Sequence, residues 1–193
     1  METRALKIFV ALAVAGSTLQ AEENDGADSP SKRAFVFGDV AYFHRWSQSD
    51  QHEFTPAKQE DLKRWSDMIT VNGYPDVAEG ERLATTANAV LENYKNHQAK
   101  VLETRSVPRT AEQPAEHFIA VMFTRPDFIE VAFARFKLLD GKGCSLVYSH
   151  RIYGEEIGDQ MNAWLKTNGQ AMETALMEWT SAPSPTLLRQ EPL

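Results

Sequence analysis

Ile157, Met161, Trp164, Leu165, Asn168, Met172, Ala175, Leu176 and Trp179 recur at steps of four, three and one, which is the repeat of one face of an α-helix. A stripe kept for so many residues predicts a single long C-terminal helix with one side turned to a core along its whole length. Gly169 weakens it by about 1 kcal/mol relative to alanine, too little to divide it. The rest of the fold has to supply the surface on which this helix lies.

Two further helices are expected upstream. Thr55-Pro56 has the form of an N-cap followed by proline at the first helical position, and Leu62, Trp65, Met68 and Ile69 follow at helical spacing as far as Asn72-Gly73. Leu83, Ala87, Val90, Leu91 and Tyr94 share a face of a second helix, from about Glu81 to Asn96-His97. Between and around these lie strand-like runs. Ala34 to Phe43 is aromatic and β-branched, with a bend at Gly38. Lys100 to Val107 is a strand closed by Pro108, and His117 to Phe123 is an unbroken apolar run suited to burial on both faces. Phe128 to Leu139 and Cys144 to Tyr153, joined by Asp140-Gly141-Lys142-Gly143, form an antiparallel hairpin.

The expected fold is therefore α+β, an antiparallel sheet of about five strands with two N-terminal helices and one long C-terminal helix packed on it. This order is similar to the PsbP/DcrB-type sandwich and to the helix-grip folds. The likeness covers element order and no motif, so it implies a fold and no activity.

The ends read differently. Arg4 and Lys7 precede the apolar run Ile8 to Ala15, Gly16-Ser17 break it, and Leu19-Gln20-Ala21 offers a cleavage site: residues 1–21 read as a secretory signal peptide. That run is too short for a membrane-crossing helix, so no permanent membrane anchor is expected, and the location is periplasmic or secreted. Residues 22–32 are a flexible lead-in, 33–180 a single domain, and 181–193 a flexible tail opened by Ser181-Ala182-Pro183-Ser184-Pro185.

Composition narrows the function. The formal net charge of −7 argues against nucleic acid as a partner, which needs a basic footprint, and favours a basic protein partner. Cys144 is the only cysteine, so an oxidising compartment gives it no partner within the chain, and its apolar neighbours mark it as a small buried residue. No phosphate loop, nucleophile elbow or zinc spacing is present, so no cofactor and no metal are expected. His52-Glu53 opens like a zincin motif but lacks the second histidine, and Pro56 breaks the geometry.

Polar and aromatic residues concentrate in Phe43 to Glu53, read as a loop between the first strand and the first helix, and in Tyr148 to Tyr153. From these come the candidate binding residues Arg45, Trp46, Asp50, His52, Glu53 and His150, with Trp46 and Arg45 as anchors and Asp50 and Glu53 steering a basic partner. The expected function is an exported, non-catalytic partner-binding protein of the inhibitor or immunity type. Two alternatives stand beside it. One is a carrier of a small apolar ligand in a cavity between sheet and C-terminal helix; the other is an enzyme using His44, His52 or His150.

Overall fold

A computed structural model describes residues 34–190; the expected signal peptide and lead-in and the last three residues lie outside this range. Eight antiparallel strands form one sheet in the order β1-β2-β3-β4-β8-β7-β6-β5. They are β1 (Ala34–Phe37), β2 (Val40–Gln48), β3 (Gln51–Pro56), β4 (Asp67–Tyr74), β5 (Lys100–Val107), β6 (Glu116–Thr124), β7 (Phe128–Leu139) and β8 (Lys142–Tyr153). α1 (Gly80–Asn96) joins β4 to β5 and packs on one face, against β6 and β7. α2 (Ile157–Glu178) lies across the other face against β7 and β8, and α3 (Pro185–Gln190) packs on β4.

The five-strand sheet with two N-terminal helices is thus corrected: the sheet has eight strands, and one helix rather than two precedes β5. The segment from Thr55 to Gly73, expected to be a helix, is the end of β3, a turn-rich crossing and β4. Met68, Ile69, Thr70 and Val71 are all buried, alternating between the α1 face and the α2 face. A strand covered on both sides loses the two-residue alternation, and with Leu62 and Trp65 upstream the run mimics helical spacing. Thr55 caps no helix; it donates a hydrogen bond to the Gln59 carbonyl and accepts one from Arg45.

The strand expected over 34–43 is a hairpin instead. Gly38 and Asp39 both have positive φ, the geometry of a two-residue turn whose twist matches its strands, and Asp140-Gly141 closes β7 and β8 in the same way. Pairing fixes which side chains share a face. On the α2 side, Phe54, Ile69, Phe118, Val131, Leu146, Met161 and Leu176 form one core. On the α1 side, Leu83, Val90, Val121, Ala134 and Phe136 form the other. Each fully buried phenylalanine or leucine contributes roughly 1.5–3 kcal/mol.

The segment after Trp179, expected to trail away, turns back onto the sheet. Leu188 is buried, Arg189 pairs with Asp50, and a Cβ on Gly73 would stand 2.9 Å from Pro185, so glycine is what lets α3 sit against β4. No helix among the described residues is long and apolar enough to cross a membrane.

Candidate functional site

The residues expected to lie in a loop after Phe43 are the β2–β3 hairpin, and one irregularity in it decides what they present. Phe43 pairs with Thr55 and His44 with Phe54, but the next register pair is Trp46 with Glu53, so Arg45 is an extra residue in a β-bulge. In a regular strand, Arg45 and Trp46 would point to opposite faces. The bulge re-aims them, so that Phe43, Arg45 and Trp46 share the face that carries α1 further along the sheet. Among the described residues, no helix packs on that face over β1 and β2. Val36 is 58% exposed and Trp46 37%, and Ala41, paired with Val36, is exposed beside them.

Arg45 is held rather than free. Its Nε donates to Thr55 Oγ1 at 3.0 Å, its Nη2 donates to the Pro56 carbonyl at 3.2 Å, and Glu60 lies 3.6 Å away. Its guanidinium carbon stands 5.7 Å from the centre of the Phe43 ring. Glu53, beside Trp46, accepts a hydrogen bond from Gln51 Nε2 at 2.9 Å. Burial pushes the Glu53 carboxyl above its ordinary range, partly opposed by that bond and by the charge of Arg151. A raised carboxylate pKa means that the folded chain binds its proton more readily than the unfolded chain, so Glu53 subtracts stability at neutral pH and the deficit fades as pH falls. Glu53→Gln is therefore expected to raise the thermal midpoint at pH 7, with a smaller gain at pH 5.

The other candidates are elsewhere. Asp50, in the β2–β3 turn, is engaged by Arg189 of α3. His52 and His150 are on the α2 face, His52 buried with its ring 5.9 Å from that of His44. His150 stacks on Trp164 of α2, centroids 4.1 Å apart and planes 8° from parallel, and its Nδ1 is 2.9 Å from Asp67 Oδ1, which also accepts from Tyr148 at 2.8 Å. Arg45, Trp46 and Glu53 thus come together, while Asp50, His52 and His150 do not join them.

The His150 cluster clamps α2 to the sheet. Burial alone would raise the Asp67 pKa, but hydrogen bonds from His150 and Tyr148 outweigh it and hold the carboxyl below its usual value. A depressed carboxylate pKa contributes stability above the unfolded value and loses it as pH falls through the folded one. Relative to Asp67→Asn, the wild type should therefore lose stability below about pH 4, a difference visible in urea titrations at pH 3 and pH 7. Trp164 covers one ring face of His150, and Asp67 engages its Nδ1. Burial and the Asp67 charge push the Tyr148 hydroxyl far up, away from any nucleophilic role.

Two clefts adjoin α1. One is lined by Trp65, Thr70, Asn72, Tyr74, Glu130 and Ser145, with about 30 Å³ open to a water-sized occupant. Its polar groups bond one another: Asn72 Nδ2 donates to Ser145 Oγ at 3.0 Å, and the Tyr74 hydroxyl lies 3.1 Å from the same oxygen. Burial pushes that phenol up to about 12. The space suits a water molecule, not a carried ligand. Sequence reading did not join these groups, because Ser145 lies more than seventy positions from Asn72 and Tyr74. The second, of about 160 Å³, lies between Asn88 and Leu91 of α1 and Thr104, Ser106 and His117. Ser106 Oγ is 2.9 Å from His117 Nδ1, but Nε2 is buried without a hydrogen-bond partner, so nothing orients the ring as a base. Between sheet and α2, where an apolar cavity was expected for a carrier, Met161 and Leu176 fill the interface, with Trp164, Leu165 and Met172 packed beside them. Among the described residues no three His, Cys, Asp or Glu are placed to hold a metal.

No protein-family model and no curated protein matches the chain. Among solved structures it is similar to a point mutant of Mog1, with 11% identity, 76% of this chain and 91% of that one covered, and a TM-score of 0.48. The Ran-binding protein Mog1p of Saccharomyces cerevisiae is 12% identical over 78% and 93% of the two chains, at 0.47. PA94 of Pseudomonas aeruginosa, a protein of unknown function, is 12% identical over 79% and 98%, at 0.39.

Proposed function

We propose that this chain works by binding a protein partner through the face of β1, β2 and β3 on which no described helix packs. The observation that supports this reading most is the bulge at Arg45, which sets that arginine, its side chain 16% exposed, beside the exposed Trp46 on the face that also carries Val36, Ala41 and Phe43. Tryptophan and arginine are over-represented among the few residues that dominate interface energies. Arg45 is already ordered by Thr55 and Pro56, so little side-chain entropy is lost when a partner contacts it.

The finer reading is an exported inhibitor or immunity-type protein with a basic partner. The net charge of −7 and the leader-like residues 1–21 support it. Export is checked by the mass of the protein from its native host: cleavage near Ala21 is expected, and retention of Met1 on the bulk of the protein would refute it. Partner binding is checked by affinity capture from the host with wild type and Trp46→Ala side by side. Wild type should retain a specific protein that Trp46→Ala loses by at least about tenfold, the scale of an interface anchor. Failure of the wild type to capture any protein would overturn the reading.

A further inference from the structure

We infer that a second copy of this chain pairs with β5 in antiparallel fashion, extending the two sheets into one across a twofold axis. β5 is the outer strand of the sheet, and among the described residues no strand pairs with its outer edge. Seven of its eight residues are exposed, including Leu102 and Val107. An unpaired edge of this length presents a row of backbone donors and acceptors that another strand satisfies.

Charge selects the partner and the register. Glu103 and Arg105 lie on the same face, 3.7 Å apart, with Thr104 between them in sequence; Arg105 also reaches Glu173 of α2. In an antiparallel self-pairing, each possible twofold axis sets a different residue opposite itself. Centred on Glu103 or on Arg105, the pairing opposes like charges, and a centre between two residues would set side chains of opposite sheet faces against one another. Centred on Thr104, Glu103 faces Arg105 of the other copy, and by symmetry Arg105 faces Glu103. Pro108, which has no N–H to donate, closes one end of the strand, and the bulge between Val101 and Glu103 falls outside the central Glu103–Arg105 stretch. A self-complementary strand of this kind fits another copy better than an unrelated peptide, and it is remote from the β2 face and independent of the reading given to it.

Light scattering on the purified chain across the micromolar range tests the pairing. Wild type should show twice the mass of one chain. Glu103→Arg and Arg105→Glu should each show the mass of one chain, since each sets like charges opposite one another. Mixed in equal amounts, the two variants should recover the doubled mass, because every opposed pair is then of opposite sign. Recovery on mixing cannot come from misfolded variants. A single-chain mass for wild type, a doubled mass for both variants alone, or no recovery on mixing would overturn the inference.

Discussion

Arg135→Met is expected to lower the free energy of unfolding by roughly 3–5 kcal/mol, the cost of breaking a buried ion pair by removing one partner. Arg135 is buried on the α2 face of β7, and its fork serves two groups at once. Nε and Nη2 bind the Glu116 carboxylate at 2.7 and 2.8 Å, and Nη1 donates to the carbonyls of Leu176 and Trp179 at 3.0 and 3.2 Å. Those carbonyls belong to the end of α2, whose last turn holds no basic residue of its own. The sheet therefore provides the cation that the helix C-terminus favours and the donors that its last carbonyls need. Methionine keeps most of the volume and removes both. Arg135→Lys should recover only part of the loss, because one ammonium cannot span the same acceptors. A urea titration reads the effect as a fall in midpoint at unchanged slope.

The second large effect is on the α1 face. Arg151 binds Glu130 at 2.7 Å, both side chains almost fully buried, and its guanidinium lies between Trp65 and Phe128, 4.0 and 4.3 Å from the ring centres. Arg151→Met alone strands a buried carboxylate and should cost about 3–5 kcal/mol. The double change Glu130→Leu with Arg151→Met removes both charges and should restore most of that loss, as replacement of a buried pair by apolar residues commonly does. If the double variant is less stable than Arg151→Met, the pair is a net source of stability and the desolvation argument fails for this site.

What could be read from the sequence follows from how each element is buried. α1 and α2 each bury one stripe, so their periodicity survives in the sequence and their bounds were found to within a residue or two. β6 is covered on both faces, and a long apolar run with β-branched residues was enough to place it. β4 is covered in the same way, but Met68 and Ile69 followed Leu62 and Trp65 at helical steps, and Thr55-Pro56 offered a false cap. Only pairing between β8 and β4 resolves that ambiguity, and pairing is not a property of a local segment.

The candidate site shows the same limit. Arg45, Trp46 and Glu53 could be named as anchors from residue type, but the bulge that turns the first two to one side exists only against β3. Asp50 could not be matched with Arg189, 139 positions away, and so read as a free steering charge. His52 and His150 were grouped with the others by chemistry, whereas strand parity places them on the opposite face, the one that carries α2 further along the sheet.

The direct test of the binding face is photo-crosslinking in the native host, with a photoreactive phenylalanine analogue placed in turn at Trp46, at Val36 and, as a control, at Lys142, exposed at the β7–β8 turn. One partner band common to positions 46 and 36 and missing at 142 is the predicted result. No band at 46 or 36, or a band at 142 of equal strength, would contradict the account.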